Sequence, residues 1–91
     1  MYHTAKNAGT MGFSDKEKKD RQKFLIKLGI HISQIRSEKN ISVSELARLC
    51  FMDKPNLIRI EKGRVNSSIF ILKRIADALE ISLQSLFDGL E

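Results

Sequence analysis

Five times in 91 residues, a serine or aspartate stands at the head of a segment that reads as a helix. These residues are Ser14, Ser42, Asp53, Ser68 and Ser82, and their side chains can accept from the free N–H groups that open a helix. Ser14 with Glu17, and Ser42 with Glu45, also have the reciprocal spacing of a capping box. This punctuation divides the chain into helices with short connections. No stretch alternates apolar and polar residues as a half-buried strand does, and there is no strand–helix–strand pattern. The expected fold class is all-α, with five helices.

The first helix opens after Ser14, and its early turns, "DKEKKDRQK", are all charge; they either fray or form a solvated face. From Phe24 the pattern sharpens, with Leu25, Leu28, Ile32 and Ile35 forming an apolar stripe that runs to about Lys39. Asn40 is a plausible left-handed stop. A short helix over 43–50 follows, with Leu46, Ala47 and Cys50 on one side. Asp53 is the expected side-chain cap of a third helix, 54–62. Pro55 fits in its first turn, where a missing N–H costs little, and Gly63 ends it. Leu72, Ile75, Ala76 and Leu79 line the inner face of the fourth helix, and "LQSLF" after Ser82 is the fifth. Residues 1–13 show no periodicity. The division adopted is a flexible arm over residues 1–20 and one folded domain over 21–91.

A formal net charge of +5 points to an acidic partner, nucleic acid before a membrane surface. No apolar run approaches the roughly 18 residues of a membrane span. The N-terminus lacks a secretory pattern, so a cytoplasmic location is expected. The single cysteine, Cys50, permits no intrachain disulfide and reads as a small buried hydrophobe. His3 and His31 lack zinc-ligand spacing, so neither metal nor cofactor is expected. No nucleophile has a paired base and no glycine loop cradles phosphate, which argues against an enzyme.

Two short helices joined by about three residues have the spacing of a helix-turn-helix. At about 100° per residue, Leu57, Ile60 and Glu61 share one side of the second helix. Lys54, Pro55, Ile58, Arg59 and Lys62 share the other, with Asn56 at the margin. Such a helix is held against a scaffold by one edge and offered to an anion by the other.

The stretch "QIRSEKNISVSELARLCFMDKPNLIRIEKGRVNSSIFILKRIADALEISLQSLF" resembles the Xre-type, lambda-repressor-like helix-turn-helix family. The likeness is carried by "SVSELA", "RIEKG", the polar loop that follows, "LKRIADAL" and "ISLQSLF". It implies a compact five-helix DNA-binding domain and a transcriptional regulator, commonly a homodimer on a palindromic operator. Carried over residue by residue, it implies base contacts from Lys54, Pro55, Asn56 and Arg59, with helix 54–62 in the major groove. Arg59 and Lys54 suit the guanine edge and Asn56 suits adenine; a phosphate-bound Arg59 is the alternative. The same likeness implies phosphate contacts from Ser42, Val43 and Ser44, and from Lys62, Arg64, Asn66 and Ser67. It also implies a salt bridge between Arg36 and Glu61.

Several positions depart from the family pattern. Val43 stands where a glutamine often touches phosphate, which leaves only its backbone to donate. Phe51 occupies a turn position that is usually glycine, and Pro55 has no donor for a base. Phe70 and Ile71 are apolar where relatives are polar; with Phe24, Ile26 and Ile30 they either form a dimer interface or extend the core. At this length there is no room for a separate small-molecule-sensing domain. The expected role is therefore a sequence-specific repressor or autoregulatory controller, as in restriction–modification or mobile-element regulation, with double-stranded DNA as partner. The alternative is an antitoxin of the same fold, whose main partner is a toxin protein bound through the amino-terminal arm.

Overall fold

The computed structural model describes residues 14–90, within which four α-helices and one 3-10 turn enclose a single apolar core. The helices are α1 (Asp15–Glu38), α2 (Val43–Leu49), α3 (Lys54–Glu61) and α4 (Ile69–Ala78). The expected fifth helix is a 3-10 turn, Gln84–Phe87. Ser82 Oγ accepts from the Ser85 N–H at 3.1 Å, but the element is four residues long and Gly89 follows in a left-handed conformation. Of the arm expected over residues 1–20, residues 1–13 lie outside the described residues. Residues 15–20 form the opening turns of α1, so the helix begins ahead of the boundary drawn at 20.

The start of α1 is a complete capping box. Glu17 N–H donates to Ser14 Oγ at 3.2 Å, and Ser14 N–H donates to the Glu17 carboxylate at 2.9 Å. The box expected at α2 is only half formed. Ser42 Oγ accepts from the Glu45 N–H at 3.0 Å, but the Glu45 carboxylate turns to Arg48, at 3.1 and 2.5 Å. A charge-assisted pair outcompetes a neutral backbone donor, and Arg48 holds the Glu45 carboxyl below its ordinary pKa. Asp53 has the backbone of a cap but makes no side-chain capping bond. Pro55 supplies no N–H, and the Asn56 N–H goes to the Asp53 main-chain carbonyl at 3.0 Å, so neither of the two usual capping donors reaches the carboxylate.

All four α-helices end alike. In each, a left-handed residue lets two backbone N–H groups fold back onto the last turn, the Schellman arrangement. The outer bonds are Ile41 to Arg36 at 3.1 Å, Met52 to Ala47 at 3.0 Å, Arg64 to Arg59 at 2.9 Å, and Ile81 to Ala76 at 3.0 Å. Only one of the four left-handed positions is glycine, Gly63; the others are Asn40, Phe51 and Glu80, with φ of 57°, 57° and 60°.

The core is built from Leu28 and Ile32 of α1, Leu46, Ala47 and Cys50 around α2, and Leu57 and Ile60 of α3, together with Leu72, Ile75, Ala76 and Leu79 around α4. Leu86 and Leu90 close it from the C-terminal turn. His31 on α1 donates from Nε2 to the Ser85 carbonyl at 2.9 Å, pinning that turn. Burial pushes the Cys50 thiol up from its ordinary pKa, against the pull of the Arg74 charge, which keeps it an inert core group.

Where α1 crosses α3, the two backbones touch. A Cβ added at Gly29 would stand 2.5 Å from the Ile60 carbonyl oxygen. A Cβ at Gly63 would stand 2.6 Å from the Ile26 Cα. Gly63 is thus required twice, for its φ of 71° and for this approach. Two glycine substitutions in opposite directions test these points in chemical unfolding. Gly29→Ala loses about 1–3 kcal/mol by overpacking, despite gaining helix propensity. Glu80→Gly gains about 0.5–1 kcal/mol by releasing an exposed residue from left-handed strain.

Candidate nucleic-acid interface

The helix-turn-helix is α2, four connecting residues and α3. Leu57 and Ile60 anchor α3 in the core, and Glu61 is mostly covered beside them. Lys54, Pro55, Asn56, Arg59 and Lys62 are exposed. Ile58, read from the sequence as outward, is half-buried at the edge of that face. The face therefore carries two lysines, an arginine, an asparagine and one proline ring.

Asn56 and Arg59 are not independent. Arg59 Nη2 donates to Asn56 Oδ1, one helical turn away. An asparagine reads adenine with both its carbonyl and its amide. Here the carbonyl accepts from Arg59, which leaves the Asn56 amide and the other Arg59 donors on two exposed, linked side chains. Such a donor-only pair matches the acceptor-rich guanine edge.

What fixes the attitude of α3 is Arg36. Its Nε donates to Glu61 Oε2 at 2.8 Å and its Nη2 to Glu61 Oε1 at 3.0 Å, while Nη1 reaches the Ile41 carbonyl at 2.9 Å. One guanidinium thus joins α1, the connection to α2 and the end of α3. The Glu61 hydrogen bonds hold Arg36 above even its usual arginine pKa, against the cost of burial.

Either side of α3 lie the groups expected at phosphates. Ser42 and Ser44 are exposed at the start of α2. Val43 packs against the core, so only its main chain is available there. Beyond α3, Lys62, Arg64 and Asn66 are exposed and Ser67 is half-buried.

Two features went unread in the sequence. Gly29 sits inside the apolar stripe of α1, and an isolated glycine in a helical pattern is itself a signal of close backbone approach. Arg74 on α4 donates to the carbonyls of Cys50 and, at 2.8 Å, of Phe51. Its guanidinium lies 6.0 Å from the centre of the Phe51 ring. This brace holds the turn of the motif in its left-handed shape with Phe51 85% exposed. No local pattern around residue 74 announces it. The apolar excess divides: Ile71 joins the core, whereas Phe70 is 68% and Ile69 64% exposed.

Among known proteins, the family model HTH_3, described as helix-turn-helix, matches residues 32–86. The HTH-type transcriptional regulator SinR of Bacillus subtilis (strain 168) is 37% identical over 62 residues, 67% of this chain. The chain spans only 56% of that regulator's length. The crystal structure of the restriction-modification controller protein C.AhdI from Aeromonas hydrophila is similar over 69% of this chain and 96% of its own, at 32% identity and a TM-score of 0.68. An HTH_3 family transcriptional regulator from Vibrio cholerae is similar over 74% of this chain and 38% of its own, at 27% identity and a TM-score of 0.69.

Removing one partner of the Arg36–Glu61 bridge strands the other in a mostly covered site. Glu61→Gln or Arg36→Met is expected to cost about 3–5 kcal/mol in urea unfolding, and the double replacement Arg36→Met with Glu61→Leu to recover most of the loss. A double variant no more stable than the singles sinks this account of the pair.

Proposed function

The chain belongs to the HTH_3, or Xre-type, helix-turn-helix family, and from that membership we propose that it is a sequence-specific DNA-binding transcriptional regulator. The observation that carries this reading is the outer face of α3. Lys54, Asn56 and Arg59 are exposed together on a helix whose other edge is anchored by Leu57, Ile60 and the Arg36–Glu61 bridge. Base edges are read by donors held at fixed positions, and this frame supplies them.

In this reading α3 lies in the major groove. Arg59 donates to a guanine, held in place by Asn56, and Lys54 reaches a second acceptor. Pro55 and the exposed part of Ile58 favour a thymine methyl. Ser42, the main chain at Val43, Ser44, Lys62, Arg64, Asn66 and Ser67 grip phosphates on either side and set the register. Likeness to a controller protein over nearly its whole length supports a small repressor or autoregulatory controller, working where the genomic DNA is, in the cytoplasm.

The working unit is a homodimer on a palindromic site. An apolar groove of about 250 Å³ runs between α1 and the start of α4, bordered by Phe24, Leu25, Ile69, Leu72 and Phe87. Phe70 stands exposed beside Ile69 at that end of α4. An exposed aromatic beside an apolar groove suits a self-complementary contact between two copies.

Selection of bound sites from random duplex DNA is expected to return an inverted repeat with half-sites roughly 34–36 Å apart. Arg59→Ala costs about 1–3 kcal/mol and relaxes preference at one base pair, while Lys62→Ala weakens all sequences alike. Selection that returns no motif refutes specific regulation. In sedimentation, Phe70→Glu is expected to give a monomer that keeps its affinity for an isolated half-site; an unchanged dimer places the interface elsewhere.

A further inference from the structure

The ties that fix α3 to α1 gather at its C-terminal end. Arg36 grips Glu61 through two hydrogen bonds, the backbone at Gly29 meets the carbonyls of residues 60 and 61, and Gly63 is pressed onto Ile26. The proposed base readers Lys54 and Asn56 stand in the first turn. Lys54 lies about 10 Å along the helix from Glu61, at roughly 1.5 Å per residue. A tilt of about 6° around Glu61 carries Lys54 about 1 Å, twice the roughly 0.5 Å within which a preorganised site holds its groups. Held at one end only, the helix cannot keep its entrance on one base edge.

Little at the entrance itself supplies the second hold. Leu57 is buried, but apolar packing is not directional. Asp53 makes no side-chain capping bond. The Asn56 N–H goes to the Asp53 carbonyl and the Met52 N–H to the Ala47 carbonyl, each at 3.0 Å, so both bonds stay within the motif. The hold from outside comes from α4. The half-buried Arg74 donates to the Cys50 carbonyl and, at 2.8 Å, to the Phe51 carbonyl, just ahead of α3. Among the described residues, no other hydrogen bond ties residues 51–56 to an element outside α2 and α3. Arg36 in the same way takes the Ile41 carbonyl at 2.9 Å, just ahead of α2. Two arginines from outside thus frame the motif.

We infer that Arg74 is a positioning residue for base reading: through the turn at residues 50–51 it fixes the entrance of α3, and with it the preference at the base that Lys54 faces, without touching DNA. This inference rests on the DNA-binding reading above. The guanidinium is spent on two main-chain carbonyls, so it acts through the helix and not as a phosphate grip. Arg36 holds the other end of α3, so the base read by Arg59 is left to that tie. A main-chain carbonyl is offered by any residue at position 51, so the hold does not need the Phe51 ring.

The test selects bound sites with wild type, Lys54→Ala, Arg59→Ala, Arg74→Met and Phe51→Gly, each as the full chain, and measures affinity for the selected duplex and for a random one. Lys54→Ala and Arg59→Ala identify the base pair that each side chain reads. Arg74→Met keeps the stem and loses the donors; it is expected to relax preference at the Lys54 position and to keep it at the Arg59 position. Its affinity for the selected duplex falls about 5- to 100-fold, the worth of one base pair, while affinity for random duplex stays within about twofold of wild type. Phe51→Gly keeps both carbonyls and is expected to keep the wild-type motif; relaxation there overturns a hold through carbonyls. An unfolding curve checks Arg74→Met, and if it does not fold, Arg74→Lys takes its place with a smaller shift expected. In a folded Arg74 variant, a wild-type motif with a wild-type ratio of the two affinities overturns this inference alone. Equal losses on both duplexes also overturn it, because a merely structural role predicts them. So does equal relaxation at both positions, since the tie then serves the whole helix. Wild type that returns no motif overturns it together with the reading it rests on.

Discussion

Two glycines let α1 and α3 come into backbone contact, and the rest of the domain is arranged around that contact. Side chains between helices normally set their separation. At Gly29 and Gly63 there is no room for even a methyl group, so carbonyl and Cα meet directly. The approach brings Arg36 within bidentate reach of Glu61, and the same guanidinium then captures the Ile41 carbonyl. Steric closeness and ion pairing therefore fix the same relation twice. An eight-residue helix has little intrinsic stability. Its outer edge is held in place because its inner edge belongs to α1.

Polarity is distributed to suit that arrangement. Several acids of the described residues are drawn into local pairs, Lys16 with Asp20, Glu45 with Arg48 and Lys73 with Asp77, or into the inward bridge at Glu61. Asp53 is the exception near α3, left without its capping bonds by Pro55. In the proposed DNA-binding role, a carboxylate there would repel phosphate and accept from a base amine, which narrows the poses open to the helix entrance.

Much of the fold was legible because the signals are local. A serine three residues before its N–H partner, apolar spacing of three and four, and a glycine stop all act within one turn. They placed four helices within a residue or so of their bounds and named the inner faces of α2, α3 and α4. The fifth helix was misjudged because a four-residue run cannot show whether its turns close at three residues or four. The cap at Asp53 failed because Pro55 removed one donor and the main chain took the other. The long-range features were out of reach for a different reason. Contact between Gly29 and residues 60–61, or between Arg74 and the turn at 50–51, joins positions far apart in sequence: the glycine signals a close approach without naming what approaches, and nothing around Arg74 signals at all. Arg36 and Glu61 were paired only through a family resemblance, not by spacing.

The helix stops have a consequence for how such a protein changes over generations. Asn40, Phe51 and Glu80 occupy left-handed positions that glycine would hold at lower cost. The fold is therefore kept below the stability its own architecture allows, with untapped reserve at three sites away from the outer face of α3. In the proposed DNA-binding role, changes of base preference would fall on an eight-residue helix and tend to erode stability. A lineage that meets such losses has compensating steps at hand that leave the reading edge untouched. New specificity and structural repair can thus be acquired in separate, independently selected substitutions.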